Sequence, residues 1–173
     1  YGMRRRVVVT GLGIVSPVGN SVEEAWKNIV EGRSGIGPIT RFDASTFPVR
    51  IAGEVKEFDV TAYLPKKEAR RMDLFIHYGM AAGIQAVRDA GLEITEANAE
   101  RVGVNIGSGI GGLPMIESTH HDFLNGGARK ISPFFIPSSI INMISGNLSI
   151  LLGAKGPNLS VVSACATGTH SIG

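Results

Sequence analysis

One side chain in this sequence could serve as a nucleophile: Cys165, the only cysteine among 173 residues. It lies in Leu159-Ser-Val-Val-Ser-Ala-Cys-Ala-Thr-Gly-Thr-His170, where a β-branched run through Val161 and Val162 gives way to small residues suited to a helix start. A thiol at such a start lies among unpaired amide N–H groups and the positive end of the helix dipole, which favour the thiolate. A thiolate near neutral pH is the reagent of covalent group transfer. An isolated cysteine is about as often a small buried hydrophobe, and the motif alone leaves both readings open.

The other candidates are weaker. His120-His121-Asp122 suggests metal ligation, but adjacent helical residues point roughly 100° apart and do not readily share one ion. A solvated helix face accounts for them better. His170 falls on the helix that Cys165 would open and is directed away from the sulfur, while His77 sits within a long helical pattern as a packing or surface residue. No histidine is placed as a base for Cys165, so its partners are expected elsewhere. Gly107-Ser-Gly-Ile-Gly-Gly112 satisfies the spacing of a dinucleotide-binding turn. Pro114 suits no long helix opening at Gly109, and no acidic residue ends a second strand about 20 positions on. What remains is a glycine turn, either merely flexible or lining an acyl pocket. Lys66-Lys67 with Arg70-Arg71, and Arg129-Lys130, read either as solvated charge or as a surface that steers an acidic partner.

The elements that must position these groups follow from periodicity. Arg6–Thr10 and Arg101–Ile106 read as buried strands, and Ser160–Ser163 as a third. Ser21-Val-Glu-Glu24 is a capping box that opens a short helix closed by Gly32. Residues 33–62 carry no helical period and read as an ordered excursion, with extended pieces near Arg50–Ala52 and Glu54–Val55. Lys66–Ala90 shows an apolar stripe of one long helix stopped by Gly91, with Gly79 and Gly83 allowing close approach of a neighbour. A polar, helical piece is expected over Met115–Leu124, and a buried helix over Ser138–Leu152 ending at Gly153. Strands separated by helices imply a mostly parallel sheet covered on both faces.

Composition agrees with such a domain. Hydrophobic residues make up 43% and charged residues 18%, which excludes a disordered chain. Glycine, at 23 residues, is about twice its usual share and points to many tight turns and close backbone approaches. A net charge of +2 gives no basis for nucleic-acid binding. A single cysteine leaves no internal disulfide and suits a reducing, cytoplasmic setting. No secretory leader is expected, residues 1–3 read as a tag remnant and start, and polar residues within Ile140–Leu152 exclude a membrane span, so the protein is expected to be soluble.

Together these residues resemble the amino-terminal half of a β-ketoacyl-acyl carrier protein synthase, most like the elongating type II condensing enzymes. The resemblance runs from about Arg4 to Gly173. It rests on Arg5-Arg-Val-Val-Val-Thr-Gly-Leu-Gly-Ile-Val-Ser-Pro-Val-Gly19, Arg71-Met-Asp73, Gly107–Gly112, Ser132-Pro-Phe-Phe-Ile-Pro137, Gly156-Pro157 and Val162-Ser-Ala-Cys-Ala-Thr-Gly168, in that order. It implies an α/β, thiolase-like fold with α-β-α-β-α layers, of which residues 4–173 supply most of the amino-terminal half. It also implies that Cys165 is the acyl-accepting nucleophile, with its own N–H as half of the oxyanion hole. The acyl-enzyme would condense with malonyl-acyl carrier protein, losing carbon dioxide and gaining two carbons. By the same resemblance Ile110 gates the acyl pocket and Phe135 helps line it across a homodimer. Ile110 in place of glycine favours the elongating type II pattern. Lys67, Arg70, Arg71, Arg129 and Lys130 fall where the family meets acidic acyl carrier protein, acyl- or malonyl-loaded. No cofactor, metal, nucleic acid or membrane is implied.

The family's active-site histidines, lysine and second oxyanion donor belong to segments beyond Gly173, so residues 1–173 alone are expected to be unstable and inactive. Alternatives within the fold are a polyketide ketosynthase or a thiolase-type relative. A different class is a non-catalytic, chain-length-factor-like partner subunit, against which an intact Cys165 turn argues. A hydrolase pairing Cys165 with His121 or His170 is disfavoured on geometry.

Overall fold

The computed structural model describes residues 5–173, so the reading of residues 1–3 as a tag remnant lies outside the described residues. The chain divides into two compact units. One runs through Phe58 and takes in Ala82–Leu92; the other comprises Asp59–Ala81 and Glu93–Gly173.

In the first unit the capping box forms. Helix α1, Val22–Val30, is capped by Ser21, whose Oγ accepts the Glu24 N–H at 3.2 Å. The Glu24 carboxylate reaches back one residue further than the simple motif and accepts from Asn20 N–H at 2.7 Å. Gly32, at φ +67°, follows the helix as expected. The excursion holds a small antiparallel ladder, β1 (Ile36–Pro38) against β2 (Ile51–Gly53), in the register Gly37 to Ala52. Glu54 ties its end by accepting from the Thr40 hydroxyl at 2.8 Å and from two backbone amides. These bonds, that of the Thr40 hydroxyl foremost, hold its carboxyl below the usual carboxylate range.

The expected strand at Arg6–Thr10 is absent: no ladder forms there, and Val7, Val8 and Val9 are 92%, 66% and 76% exposed. β-branched residues suit a pleated, half-buried surface but cannot supply the partner that makes one. The glycines that follow do have a packing role. A Cβ on Gly11 or Gly13 would overlap the carbonyl oxygens of Ala86 and Ala82, so the turn lies directly on that stretch of helix. Asp89 and Gln85 side chains accept from Leu12 and Ile14 N–H there.

In the second unit the single helix expected over Lys66–Ala90 is two. Helix α2, Lys66–Ala69, ends, and α3, Leu74–Asp89, begins after buried Asp73; its later half belongs to the first unit. Asp73 N–H donates to Ser138 O instead of to its own helix, and its carboxylate accepts from Leu74 N–H at 2.6 Å. The expected helix over Ser138–Leu152 is divided for a related reason. The Ser138 and Ser139 carbonyls accept from Asp73 and Gly112, so α5 (Phe135–Ser139) stops and α6 (Met143–Leu152) starts afresh. Gly153, left-handed at φ +72°, closes α6. Gly79 admits Ile144 so closely that a Cβ would come within 2.6 Å of its side chain.

Between Asp73 and α6 in sequence lie β3, Val104–Asn105, and α4, Leu113–Gly126. β3 pairs in parallel with β4, which is Asn158–Leu159 rather than Ser160–Ser163. The ladder stops there because Ser160 Oγ donates to Ile106 O, the acceptor a longer ladder would use. Fully buried Ser145 fastens α6 to both strands: its Oγ accepts Ile106 N–H at 2.8 Å and donates to Leu159 O at 2.7 Å. Among the described residues the strands make two two-stranded ladders rather than one extended sheet. No described helix is long and apolar enough to cross a membrane.

Candidate active site

After β4 the chain runs without regular structure to Ser163 and then turns. Ala164 adopts φ +52°, a left-handed conformation that costs an alanine roughly 1–2 kcal/mol. Cys165 follows at the centre of a 3-10 turn, Ala164–Ala166, and α7, Thr167–Ile172, begins only after it. The expectation that Cys165 itself opens the helix is therefore corrected by two residues: the 3-10 bond from Ala166 N–H to Ser163 O holds Cys165 in a tighter turn, and α7 starts at Thr167. The thiol is free and exposed, not buried in a core. Its N–H makes no hydrogen bond among the described residues, since the turn's own bonds begin at Ala166.

The glycine run supplies the surroundings. A Cβ on Gly107 would overlap both the Val161 carbonyl oxygen and the Thr167 methyl group, and one on Gly109 would lie 3.5 Å from Ala164 O. The run thus leans on the nucleophile turn from the side of β3. Its far end is fixed by Gly112 N–H donating to Ser139 O at 2.9 Å, and Gly111, at φ +84°, turns beside that carbonyl. Close backbone approach explains these glycines, with no need of a phosphate. Helix α4 opens at Leu113 with Pro114 in its first turn, not at Gly109. Ile110 stands at the apex, 69% exposed. Phe135, half-buried, is the first residue of α5, whose Ser139 carbonyl holds the glycine run. Cys165, Ile110 and Phe135 thus sit on segments joined through Gly109 and Gly112.

The basic residues lie elsewhere in the same unit. Lys67 is on α2, Arg70 and Arg71 follow it, and Arg129 and Lys130 occupy a 3-10 turn, Ala128–Lys130; all five are exposed. The Arg71 guanidinium covers the Phe134 ring at 4.4 Å from its centroid, which fixes one charge by stacking. Beside that pair opens a cleft of about 360 Å³ lined by Met72, Pro137, Met143 and Ile150 among others. Among the described residues none of the five is in an ion pair with a carboxylate.

Sequence reasoning missed two groups. Asp73 accepts from Leu74 N–H and, at 2.9 Å, from Met115 N–H, so one buried carboxylate serves the first turns of both α3 and α4. An aspartate just before an apolar helical run was the available signal. His170 Nδ1 shares a hydrogen bond of 2.6 Å with Ser163 Oγ; nothing in the sequence marks that pair. His77 Nε2 bonds Ala69 O at 2.8 Å, in keeping with a packing role, and His120 and His121 are exposed on α4.

The family described as β-ketoacyl synthase, N-terminal domain, matches residues 4–173. The chain is 62% identical over 170 residues to 3-oxoacyl-[acyl-carrier-protein] synthase 2 of Vibrio harveyi, and 56% identical to that of Coxiella burnetii. Each match takes in 98% of this chain but 41% of the relative, so the chain spans less than half the length of those proteins. Among solved structures, a β-ketoacyl synthase from Burkholderia phymatum superposes with a TM-score of 0.81 at 27% identity, over 98% of this chain and 42% of that one. A type II polyketide ketosynthase solved with its acyl-carrier protein gives 0.79 at 25% identity, over 98% and 45%. The fold is thus the thiolase-like fold of the ketosynthases, and the chain belongs to the β-ketoacyl synthase family, whose N-terminal domain it carries.

Proposed function

We propose that the protein to which these residues belong is an elongating 3-oxoacyl-acyl carrier protein synthase, an acyltransferase of fatty acid synthesis. Cys165 sulfur attacks the carbonyl of an acyl thioester, the carrier thiol leaves, and the acyl group rests on Cys165. The unpartnered N–H of Cys165 donates to the oxyanion that forms during this transfer. Malonyl-acyl carrier protein then loses carbon dioxide, and its carbanion attacks the acyl carbonyl. The C–S bond breaks, freeing Cys165 and giving a 3-oxoacyl carrier protein two carbons longer. Ile110 gates the acyl chain, and Phe135 helps line the pocket across a cytoplasmic homodimer. Lys67, Arg70, Arg71, Arg129 and Lys130 receive the acidic carrier protein, a partner also present in the polyketide ketosynthase complex.

The observation that carries this reading is the exposed thiol on a strained turn, with its amide free and a glycine run against it. High identity to named 3-oxoacyl synthases supports fatty acid elongation over polyketide synthesis, and the intact Cys165 turn speaks against a non-catalytic partner subunit. The test is intact-mass and peptide mapping of the full-length protein after exposure to an acyl-carrier protein. One acyl group is expected on Cys165, and none after Cys165→Ala. Arg70→Glu with Arg129→Glu should raise the half-saturating carrier concentration about tenfold at low salt, with a smaller effect at high salt. Acylation at another residue, or none, would overturn the proposal.

A further inference from the structure

Ser163 is held by every polar group it has. Its N–H donates to Thr167 Oγ1 at 3.0 Å, its carbonyl accepts from Ala166 at 3.1 Å, and its Oγ bonds His170 Nδ1 at 2.6 Å. All three partners lie in the 3-10 turn or on α7, beyond Cys165. Ser163 is therefore the fixed point on one side of Ala164, and the Ala164 carbonyl, accepting from Thr167 N–H, is the fixed point on the other. A left-handed alanine persists only where its neighbours over-determine it. Thr167 is itself buried and touches Gly107, so its bond is part of the packing. The His170 bond, by contrast, is exposed, as is His170 itself.

We propose that His170 is a positioning residue for the nucleophile: through Nδ1 it anchors Ser163 Oγ, and so keeps Ala164 in the left-handed conformation that presents Cys165 and its N–H to the acyl carbonyl. The role requires no contact between the imidazole and the sulfur. It gives a role to a histidine that lies on α7 yet bonds the residue just before the turn. Misplacement of a reacting group by about 1 Å can cost on the order of a hundredfold in rate, so a loss of ten- to a hundredfold is expected when the anchor goes.

The inference rests on Cys165 as acyl acceptor, and its test separates the two. Single-turnover acylation of Cys165 by acyl-carrier protein is measured in the full-length protein, with the carrier concentration varied. His170→Ala and Ser163→Ala should each slow acylation by roughly tenfold or more, with the half-saturating carrier concentration unchanged. The double variant should be no slower than either single one, because both remove the same bond. His170→Asn, whose amide stands where Nδ1 does, should recover most of the loss, whereas His170→Gln, which reaches to the Nε2 position, should not. Acylation at wild-type rate in His170→Ala, additive losses, or equal failure of Asn and Gln would overturn the positioning role while leaving Cys165 as nucleophile. A wild-type protein whose Cys165 takes no acyl group would overturn both.

Discussion

Arg6–Thr10 and Arg101–Ile106 open alike, an arginine followed by β-branched residues, yet the chain uses them in opposite ways. Val104 is 7% exposed and its segment pairs with β4 over Val104–Asn158 and Asn105–Leu159. Val8, in the same kind of sequence, is 66% exposed with no ladder on either side. The run with the higher strand propensity is the unpaired one, so what surrounds each run decides its use. Ile106 meets a buried hydroxyl, Ser145, that satisfies its N–H where the ladder ends, and a second hydroxyl, Ser160, that satisfies its carbonyl. Gly107 then brings the backbone against Val161 and Thr167. A strand of two residues is tenable because side chains take over the hydrogen bonds that further strand would have made. The same substitutes deliver the glycine run to the nucleophile turn, which links the short ladder to the candidate chemistry.

The contrast breaks most decisively at Gly107. Gly107→Ala would drive a methyl group into a backbone carbonyl and a buried methyl, neither of which can swing away, so a loss of roughly 3–5 kcal/mol is expected. Denaturant unfolding of the full-length protein measures it, and a loss below about 1 kcal/mol would show that the run does not rest on the turn. Ser145→Ala is the next test. It leaves half-buried Ile106 N–H without an acceptor and removes the Ser145 hydroxyl from Leu159 O, at an expected total of about 2 kcal/mol. A neutral result would mean that the strands hold α6 by apolar packing alone.

The legible parts of this molecule were those decided by neighbours in sequence. Ser21 and Glu24, three apart, sufficed for the start of α1, and Gly32, Gly91 and Gly153 for three helix ends, because capping and left-handed closure are local. The breaks inside the two long helical patterns were not legible. Asp73 and Ser139 are turned from helix continuation by hydrogen bonds to Ser138 and Gly112, groups far away in sequence. For the site, Cys165 and the glycine run stood out by residue type. The left-handed Ala164 did not, since alanine is no signal for positive φ, nor did the 3-10 turn that puts the helix start two residues past the cysteine. Ser163 and His170, seven residues apart, meet only because that turn folds the chain back.

The smallest expected effect sharpens the opening contrast directly, because trypsin recognises both arginines. The Arg6 and Arg101 side chains are exposed alike, so access to the side chain does not distinguish them. What differs is the backbone that must open into the protease. After Arg6 it is unpaired through Thr10, and nothing need be broken. At Arg101 the N–H of Arg101 donates to Asn98 O, that of Val102 to Ala99 O, and Val102 O accepts from Gly156. Cleavage there requires prior local opening, and its rate falls by the population of the opened state. Cleavage after Arg6 in the full-length protein should outrun cleavage after Arg101 by roughly tenfold or more, which corresponds to about 1.4 kcal/mol of protection. Equal rates, followed by mass spectrometry of the early fragments, would mean either that Val7–Val9 are held by contacts or that β3 is not, and the contrast between the two valine runs would then be lost.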